Sequence, residues 1–151
     1  MIQPIDIKDP AIAQQVLEVQ IPSYQVEAEL IGFFGIPQLR DTTRSLMNCP
    51  EDFYGYFIEG NLAGAISFVK KDGVVDIHRL IVHPDYFRRG IGRSLVQYVL
   101  DFDKDIKKYI VSTGAKNIPA KNLYKKLGFV EIGEQEVAPG VLITQFEKMA
   151  V

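Results

Sequence analysis

The sequence predicts a mixed α/β (α+β) fold, in which a central, mostly antiparallel sheet carries helices on both faces. Two observations predict it. Three strand-like runs separated by short turns occupy the middle of the chain, and helical segments with an apolar face lie before and after them. The chain has 151 residues, which suits one domain spanning residues 1–151. A chain of that size buries about 68–70% of its unfolded surface, enough for a sizeable core.

The first third of the chain is predicted to be a loose first strand followed by broken helices. Residues 2–7 alternate weakly between apolar and polar side chains. Asp9 followed by Pro10 is a good helix start, because an acid at the N-cap accepts backbone N–H groups and proline suits the first helical position. Pro22 is expected to interrupt this helix, with a second helical piece over residues 25–31.

The middle of the chain is predicted to be a meander of three antiparallel strands. The runs 53–59, 62–70 and 74–82 are rich in β-branched and aromatic residues. Gly60-Asn61 and Lys71-Asp72-Gly73 separate them and are typical of short hairpin turns. We therefore expect the third strand to lead directly out of the meander at Val82.

The last part of the chain alternates helix and strand. Apolar residues from Ile91 to Phe102 recur at helical spacing, which predicts an amphipathic helix. Residues 109–112 follow as a fifth inner strand, and Asn117 is well placed to cap a short helix. Two further runs, 129–137 and 141–146, surround Pro139-Gly140 and predict a final hairpin.

The turn between the third strand and the amphipathic helix has the chemistry of an anion site. Residues 88–94 read Arg-Arg-Gly-Ile-Gly-Arg-Ser. A helix start leaves backbone N–H groups unpaired at the positive end of the helix dipole. Gly90 and Gly92 let an anion approach those N–H groups closely, and the three arginines add positive charge. An ordinary strand-to-helix turn with two convenient glycines is the alternative.

Two nucleotide-binding motifs do not fit this turn. A dinucleotide fingerprint needs a third glycine where Leu95 stands, and a P-loop needs Gly-Lys followed by Ser or Thr. A nucleotide-binding domain is thereby disfavoured, and binding of ATP or NAD would be needed to adopt it.

Composition excludes several other classes. Apolar residues make up 47% of the chain and the net charge is −2, so a general affinity for nucleic acid is not expected. The single cysteine, Cys49, cannot form an internal disulfide, and the two histidines do not form a metal cluster. We expect no membrane span, since no apolar run reaches about 18 residues. We also expect no metal, and a cytoplasmic location as the default.

Two separate stretches resemble motifs of the GNAT superfamily of N-acetyltransferases. The first is the strand ending Val82-His83-Pro84 and the turn beginning at Arg88, which resembles motif A. The second resembles motif B and lies at the expected distance after it; its matching residues are Asn117, Ala120, Leu123, Tyr124, Lys126, Gly128 and Phe129. The resemblance covers residues 50–135 well. Phe87 departs from it, because the family has Gln or Arg there.

This resemblance implies a GNAT-like sheet and acetyl transfer from acetyl-coenzyme A, the co-substrate, to an amine. In the family, backbone amides of motif A bind the pyrophosphate of coenzyme A. A backbone N–H on the preceding strand stabilises the oxyanion, and the resemblance implies that of Ile81 or Val82 here. Carried over residue by residue, the expected contacts to coenzyme A are Leu80, Ile81, Val82, Arg88, Arg89, Gly90, Ile91, Gly92, Arg93, Ser94, Asn117 and Tyr124.

Tyr124 and His78 are the candidate catalytic residues. A tyrosine at the position of Tyr124 often protonates the departing thiolate in the family, whereas a half-buried aromatic with a satisfied hydroxyl is the alternative. Asp76, His78 and Leu80 are expected to alternate onto one face of their strand. His78 stands where many members have glutamate and is the first candidate base. Asp76 is the second, and the absence of any base is the third possibility.

The acceptor is expected to approach from the side of residues 22–47. Tyr24, Glu27 and Phe33, together with Asp76, suit a cation, so the expected partner is a small-molecule or peptide amine. The chain is expected to be a monomer or a homodimer. A coenzyme A-binding or sensing module without transferase activity is the alternative function, and measured transfer to an amine would decide between the two.

Overall fold

The structure, a computed structural model, describes residues 1–150. Within that range it contains seven strands and four α-helices in a mixed order. Their bounds are β1 (Ile2–Ile5), α1 (Pro10–Ile31), α2 (Thr43–Met47), β2 (Asp52–Ile58), β3 (Asn61–Lys71), β4 (Val74–Val82), α3 (Ile91–Phe102), β5 (Lys108–Gly114), α4 (Ile118–Lys126), β6 (Val130–Ala138) and β7 (Val141–Met149).

The strands form one sheet in the order β1-β2-β3-β4-β5-β7-β6. Every neighbouring pair is antiparallel except β4 and β5, which run parallel. A parallel pair needs a crossover connection, and α3 supplies it. The predicted mixed, mostly antiparallel sheet is thereby confirmed.

The parallel pair β4–β5 is paired only along its first half. Its register runs from Val74 opposite Lys108 to Ile77 opposite Val111. Beyond that point β4 continues to Val82 along β3, and β5 continues to Gly114 along β7. The two strands therefore separate towards their carboxyl ends and leave a gap in the middle of the sheet.

Helices cover both faces of the sheet, as predicted. One core joins α3 and α4 to the sheet, with Leu95, Val96 and Val99 fully buried. The other core joins α1 to the opposite face, where Val16 and Ile81 are fully buried. The apolar spacing of α3 predicted its buried face correctly.

Helix α1 runs without interruption through Pro22, so the predicted break there is wrong. Proline inside a helix removes one hydrogen bond and costs about 3 kcal/mol or more. Buried residues on both sides of Pro22, among them Val19 and Tyr24, pack into the same core. Burial of one continuous face outweighs the local cost. The helix begins as predicted, with the Asp9 carboxylate accepting the amide of Ala11 at 2.9 Å.

A β-bulge at His78 overturns the expected alternation of β4. Ser67 pairs with Arg79 and Phe68 pairs with Ile77, so His78 is an extra residue in the ladder. A bulge shifts the side-chain alternation by one residue. Ile77 and Leu80 consequently contribute to the same core. The prediction that Asp76, His78 and Leu80 share one face is therefore wrong.

Gly64 allows β3 to lie close to β4 beside the start of α3. A Cβ atom at Gly64 would stand 2.7 Å from the carbonyl oxygen of Ile81 and 3.1 Å from Ile91 Cγ2. We expect Gly64→Ala to lower the free energy of unfolding by about 1–3 kcal/mol, because backbone must move to accommodate the methyl group. Urea unfolding monitored by circular dichroism measures the change.

Gly92→Ala is the matched control for this prediction. A Cβ atom at Gly92 would meet its nearest neighbour, Leu123 Cδ2, at 3.7 Å, which is ordinary van der Waals contact. We expect the stability of this variant to stay within about 0.5 kcal/mol of the wild type. Equal stability of the two variants would contradict the close approach of β3 and β4.

Candidate active site

A cleft of about 950 Å³ opens at the gap between β4 and β5. Its walls come from the second half of α1, the carboxyl-terminal half of β4, the start of α3, the end of β5 and the first turns of α4. The strand separation therefore creates the cleft, and helices from both faces of the sheet reach it.

The structure brings most of the predicted site residues to this cleft. Those that line it are Tyr24, Glu27, Phe33, Asp76, His78, Leu80, Val82, Arg88, Gly90, Ile91, Gly92, Arg93, Asn117 and Tyr124. Ile81, Arg89 and Ser94 do not line it. Ile81 is fully buried against α1, and Arg89 lies over the Tyr86 ring at 5.3 Å.

The turn before α3 presents open backbone amides to the cleft. Gly90 is the N-cap and adopts a left-handed conformation at φ 73°, which favours glycine. The amide of Ser94 closes the first helical turn on the Gly90 carbonyl at 3.0 Å. The amides of Ile91, Gly92 and Arg93 precede that bond and have no partner within the helix. With Arg93 beside them, they fit the phosphate groups of an anionic ligand.

The backbone amide of Val82 also faces the cleft. It donates to the Ser23 hydroxyl of α1 at 3.3 Å, and both residues line the cleft. This amide lies in the part of β4 that is no longer paired with β5, so it makes no hydrogen bond to that strand. It is one of the two amides predicted as an oxyanion donor, and Ser23 was missed by sequence reasoning.

Glu27 and Asn117 join the two sides of the cleft. Asn117 caps α4, where its Oδ1 accepts the amide of Ala120 at 3.2 Å. Its Nδ2 donates to Glu27 Oε1 on α1 at 2.7 Å. Burial raises the pKa of Glu27, and the hydrogen bond from Asn117 opposes that rise. The predicted capping role of Asn117 is thus present together with a second bond into the cleft.

Two tyrosines are buried beside Glu27. Tyr124 packs edge-on against Phe129 with ring centroids 5.4 Å apart, which fixes its ring. Burial raises the pKa of Tyr124 far above its usual value, and the negative charge of Glu27 raises it further. The pKa of Tyr24 is also raised, mainly by burial and next by the negative charge of Glu27. Both phenols therefore remain protonated and can donate hydrogen bonds.

Arg79 anchors a largely buried charged network at the wall of the cleft that Asp76 and His78 line. Its guanidinium donates to Asp41 Oδ2 at 2.9 Å and to Glu51. Glu51 also accepts the Ser67 hydroxyl at 2.7 Å, and Asp41 accepts Gln20 Nε2 at 2.7 Å. These contacts tie the segments on either side of α2 to the middle of the sheet.

The network holds its carboxylates ionised. Burial alone would raise the pKa of Glu51, but hydrogen bonds from Ser67 and Arg79 outweigh it and hold the pKa below its ordinary value. Burial alone would also raise the pKa of Asp41. Hydrogen bonds, the strongest of them from Arg79, outweigh burial and hold this pKa below its ordinary value. His78 completes the network, with Nδ1 3.5 Å from Glu51 and Nε2 3.3 Å from Asp76.

Sequence reasoning missed Arg79 and its partners, although one signal was available. Arg79 stands between apolar residues in a strand read as buried, and a charged residue in that position needs a buried partner. The sequence did not show which carboxylates would meet it, because Asp41 lies 38 positions away and Glu51 lies 28 positions away.

Comparisons with known proteins identify the family. The model of the acetyltransferase (GNAT) family matches residues 14–129. The chain therefore belongs to the GNAT acetyltransferase family, and the resemblance of its two motifs is confirmed.

The relatives include one that is similar to almost the whole chain. The UPF0157 protein YqkA of Bacillus subtilis (strain 168) is 42% identical over 146 residues, covering 97% of this chain and 43% of that protein. The chain spans well under two thirds of the length of the first curated relatives it matches.

Two solved structures show the same fold. The structure of smu.2055 from Streptococcus mutans UA159 has a TM-score of 0.81 at 20% identity and covers 100% of this chain and 99% of that one. The PaiA N-acetyltransferase of Thermoplasma acidophilum, in complex with coenzyme A, has a TM-score of 0.75 at 19% identity, with 96% of both chains covered.

Residues 1–150 contain neither a membrane-spanning helix nor a cluster of metal ligands. None of the helices there is long and apolar enough to cross a membrane. That part of the chain also holds no group of three or more His, Cys, Asp or Glu residues that could bind a metal ion.

Arg79→Met should destabilise the protein strongly. It leaves the carboxylates of Asp41 and Glu51 buried without their cation, a loss of about 3–5 kcal/mol when a buried pair is broken. Both carboxyls have lowered pKa values in the folded state. Their ion pairs with Arg79 therefore stabilise the fold at neutral pH, and this stabilisation is lost as the pH falls below about 4. The stability gap between wild type and variant should therefore narrow on acidification.

Arg44→Met is the control, because Arg44 is an exposed cation on α2. Its free energy of unfolding should stay within about 0.5 kcal/mol of the wild type. Urea unfolding at neutral pH and near pH 3 measures both variants. If the difference in free energy of unfolding between wild type and Arg79→Met stays constant with pH, lost contacts and not the two carboxylate charges cause the destabilisation.

Proposed function

We propose that this chain is an acetyl-coenzyme A-dependent N-acetyltransferase. It transfers an acetyl group directly to a primary amine of a small molecule or peptide, with both substrates bound at once. The observation that carries the proposal is a single cleft that joins three parts: a turn with open amides at one end, a buried tyrosine and a strand amide bonded to the Ser23 hydroxyl in the middle, and an acidic wall at the other end. Family membership supports the same reaction class.

The donor end would hold the pyrophosphate of acetyl-coenzyme A. The amides of Ile91, Gly92 and Arg93 are open there, and Arg88 and Arg93 line the cleft beside them. Phe87 replaces the polar residue usual in the family, so the backbone amides carry more of this contact. Arg89 and Ser94, which lie outside the lining, would contribute through long-range charge and through the helix start.

The middle of the cleft would carry the chemistry. A nucleophilic amine attacking the thioester carbonyl develops an oxyanion, which the Val82 amide would accept in place of its bond to Ser23. The departing thiolate would receive a proton from Tyr124, which burial keeps protonated. Holding both substrates in one geometry can itself supply about 7–11 kcal/mol of barrier reduction.

The acceptor end suits a cation with an apolar body. Asp76 lines it, and Glu51 and Asp41 lie behind it. Arg79 balances one of these negative charges, so the wall as a whole remains acidic. Phe33 and Ile36 supply apolar surface. An amine in its ammonium form is therefore attracted before it loses its proton. His78 and Asp76 remain candidates for accepting that proton.

A coenzyme A-binding or sensing module remains the second candidate. It is supported by the relatives, which are much longer than this chain. The chain matches 43% of its relative from Bacillus subtilis. A module that binds acetyl-coenzyme A for a longer protein would need the anion-binding turn but not Tyr124. We propose further that the chain forms one domain, with residues 14–129 as its family core.

Gly92→Glu should abolish the binding of acetyl-coenzyme A. The variant places a carboxylate among the open amides, where it would repel the pyrophosphate. Isothermal titration calorimetry should show binding to the wild type and an affinity at least about 100-fold weaker for the variant. Gly92→Ala, which meets only ordinary contacts, should retain binding. A wild type that does not bind acetyl-coenzyme A would exclude the proposed function.

Tyr124→Phe should lower turnover while leaving acetyl-coenzyme A affinity intact. Loss of a general acid typically costs about 10²–10⁴-fold in rate. Release of the coenzyme A thiol, followed with a chromogenic reagent in the presence of a panel of primary amines, measures it. Tyr98→Phe, at a ring that packs against Tyr54 and does not line the cleft, should leave the rate unchanged. Thiol release by the wild type with any amine would exclude the binding module.

A further inference from the structure

Glu27 lies in the wall of the cleft and is hydrogen-bonded to the helix that carries Tyr124. It lies on α1, one turn before the helix ends at Ile31. Its Oε1 accepts the Asn117 side chain at 2.7 Å, and both residues line the cleft. Because Asn117 Oδ1 is committed to capping α4, its Nδ2 is oriented and holds the Glu27 carboxylate at a fixed position.

Glu27 shares its surroundings with Tyr124, the candidate acid. Asn117 caps the helix that carries Tyr124, so the bond from Asn117 brings the carboxylate to the same helix. After burial, the charge of Glu27 is the next cause of the raised pKa of Tyr124. That influence requires the carboxylate and the phenol to lie near each other in a poorly solvated part of the cleft.

His78 lies nearer to the opposite end of the cleft. Its ring nitrogens are 3.3 Å from Asp76 and 3.5 Å from Glu51. Burial is the main cause of the raised pKa of Tyr24, and the charges of Glu27, Arg79 and Glu51 also affect it, so Tyr24 lies near both groups. An acid and a base that act on one carbonyl carbon must converge on it, and Glu27 is the carboxylate beside Tyr124.

We propose that Glu27 is the catalytic base that takes the proton of the acceptor amine, with Asn117 positioning its carboxylate. The proposal rests on the proposed function. The ammonium form of the acceptor first releases one proton to solvent. The nitrogen of the resulting neutral amine bonds to the acetyl carbonyl carbon, and the carbon–sulfur bond breaks. The proton lost by the nitrogen goes to Glu27, and the Tyr124 hydroxyl proton goes to the thiolate sulfur. The proton on Glu27 then passes to the Tyr124 oxygen, which restores both side chains.

The two proton transfers support each other electrostatically. While Glu27 is ionised, its charge helps to keep Tyr124 protonated. Once Glu27 has taken the proton of the amine, that charge is gone and the pKa of Tyr124 falls. The phenol therefore becomes a better acid at the step in which the thiolate needs a proton. Glu27 is the charged group that raises the pKa of Tyr124, whereas the ring of His78 lies beside Asp76 and Glu51.

The surroundings of Glu27 suit a base. Burial raises its pKa, which strengthens it as a proton acceptor near neutral pH. The groups facing it are Tyr24 on its own helix and Asn117 and Tyr124 from α4. The tyrosines are neutral when protonated and Asn117 is neutral throughout, so no cation among these three stabilises the ionised carboxylate.

Glu27→Gln isolates the charge of Glu27 from its structural role. The glutamine carbonyl keeps the size of the side chain and can still accept the hydrogen bond from Asn117. Glu29→Gln is the matched control, since Glu29 is exposed on the same helix. Both variants and the wild type are compared by calorimetric titration with acetyl-coenzyme A and by thiol release with primary amines, from about pH 5 to about pH 9.

Glu27→Gln should bind acetyl-coenzyme A within about threefold of the wild-type affinity and turn over about 10²–10³-fold more slowly. In the wild type, kcat/KM should fall as the pH drops through the raised pKa of Glu27, and this acid limb should be absent from the variant. Glu29→Gln should match the wild type in affinity, rate and pH profile.

Three outcomes would overturn the proposal, each in a different way. A Glu27→Gln enzyme with wild-type turnover and an intact acid limb would exclude Glu27 as the base; His78→Ala then tests the other candidate. A variant that has lost acetyl-coenzyme A binding would give Glu27 a binding role. A wild type that binds acetyl-coenzyme A but acetylates none of the amines would remove the proposed function, and the role of Glu27 with it.

Discussion

The early separation of β4 from β5 is the constraint on which the rest of the structure depends. Each strand can leave the other because it remains paired along its length with its second neighbour, β4 with β3 and β5 with β7. The end of α1 occupies part of the opening, where Ile31 would stand 2.9 Å from a Cβ atom at Gly114. The separation exposes strand amides that a continuous sheet would have used, and the amide of Val82 meets Ser23 for that reason.

A cleft cut into the middle of a sheet needs walls that do not collapse into it. On the side of Asp76 and His78 the Arg79 network supplies this rigidity, because it joins the segments that flank α2 to β4 through charged groups that are largely shielded from water. Buried ion pairs contribute little net stability compared with apolar contacts, but breaking one is costly. Such a network therefore specifies one arrangement of the wall more than it adds to stability.

The parts of this molecule that could be predicted from sequence are those determined by neighbouring residues. Asp9 and Asn117 cap their helices as expected, and the turn at Gly90 adopts the left-handed conformation that glycine permits. The bulge at His78 gives no local signal, because no glycine or proline marks it. The Glu27–Asn117 bond joins positions 90 residues apart, and only the fold brings them together. At Pro22 a local signal predicted a break that does not occur, because burial of one long face of α1 outweighs the free-energy cost of the proline.

Three carboxylates around the cleft, those of Asp41, Glu51 and Glu27, divide by environment into two kinds, and this division agrees with the roles proposed for them. Asp41 and Glu51 receive hydrogen bonds from a guanidinium, so their pKa values are lowered and they remain ionised over the whole physiological range. Glu27 receives its hydrogen bond from a neutral amide, so burial dominates and its pKa is raised. A carboxylate that is held ionised can support a wall but cannot exchange protons near neutral pH. The partner of each carboxylate, a guanidinium or an amide, therefore separates the groups that shape the site from the one suited to proton transfer.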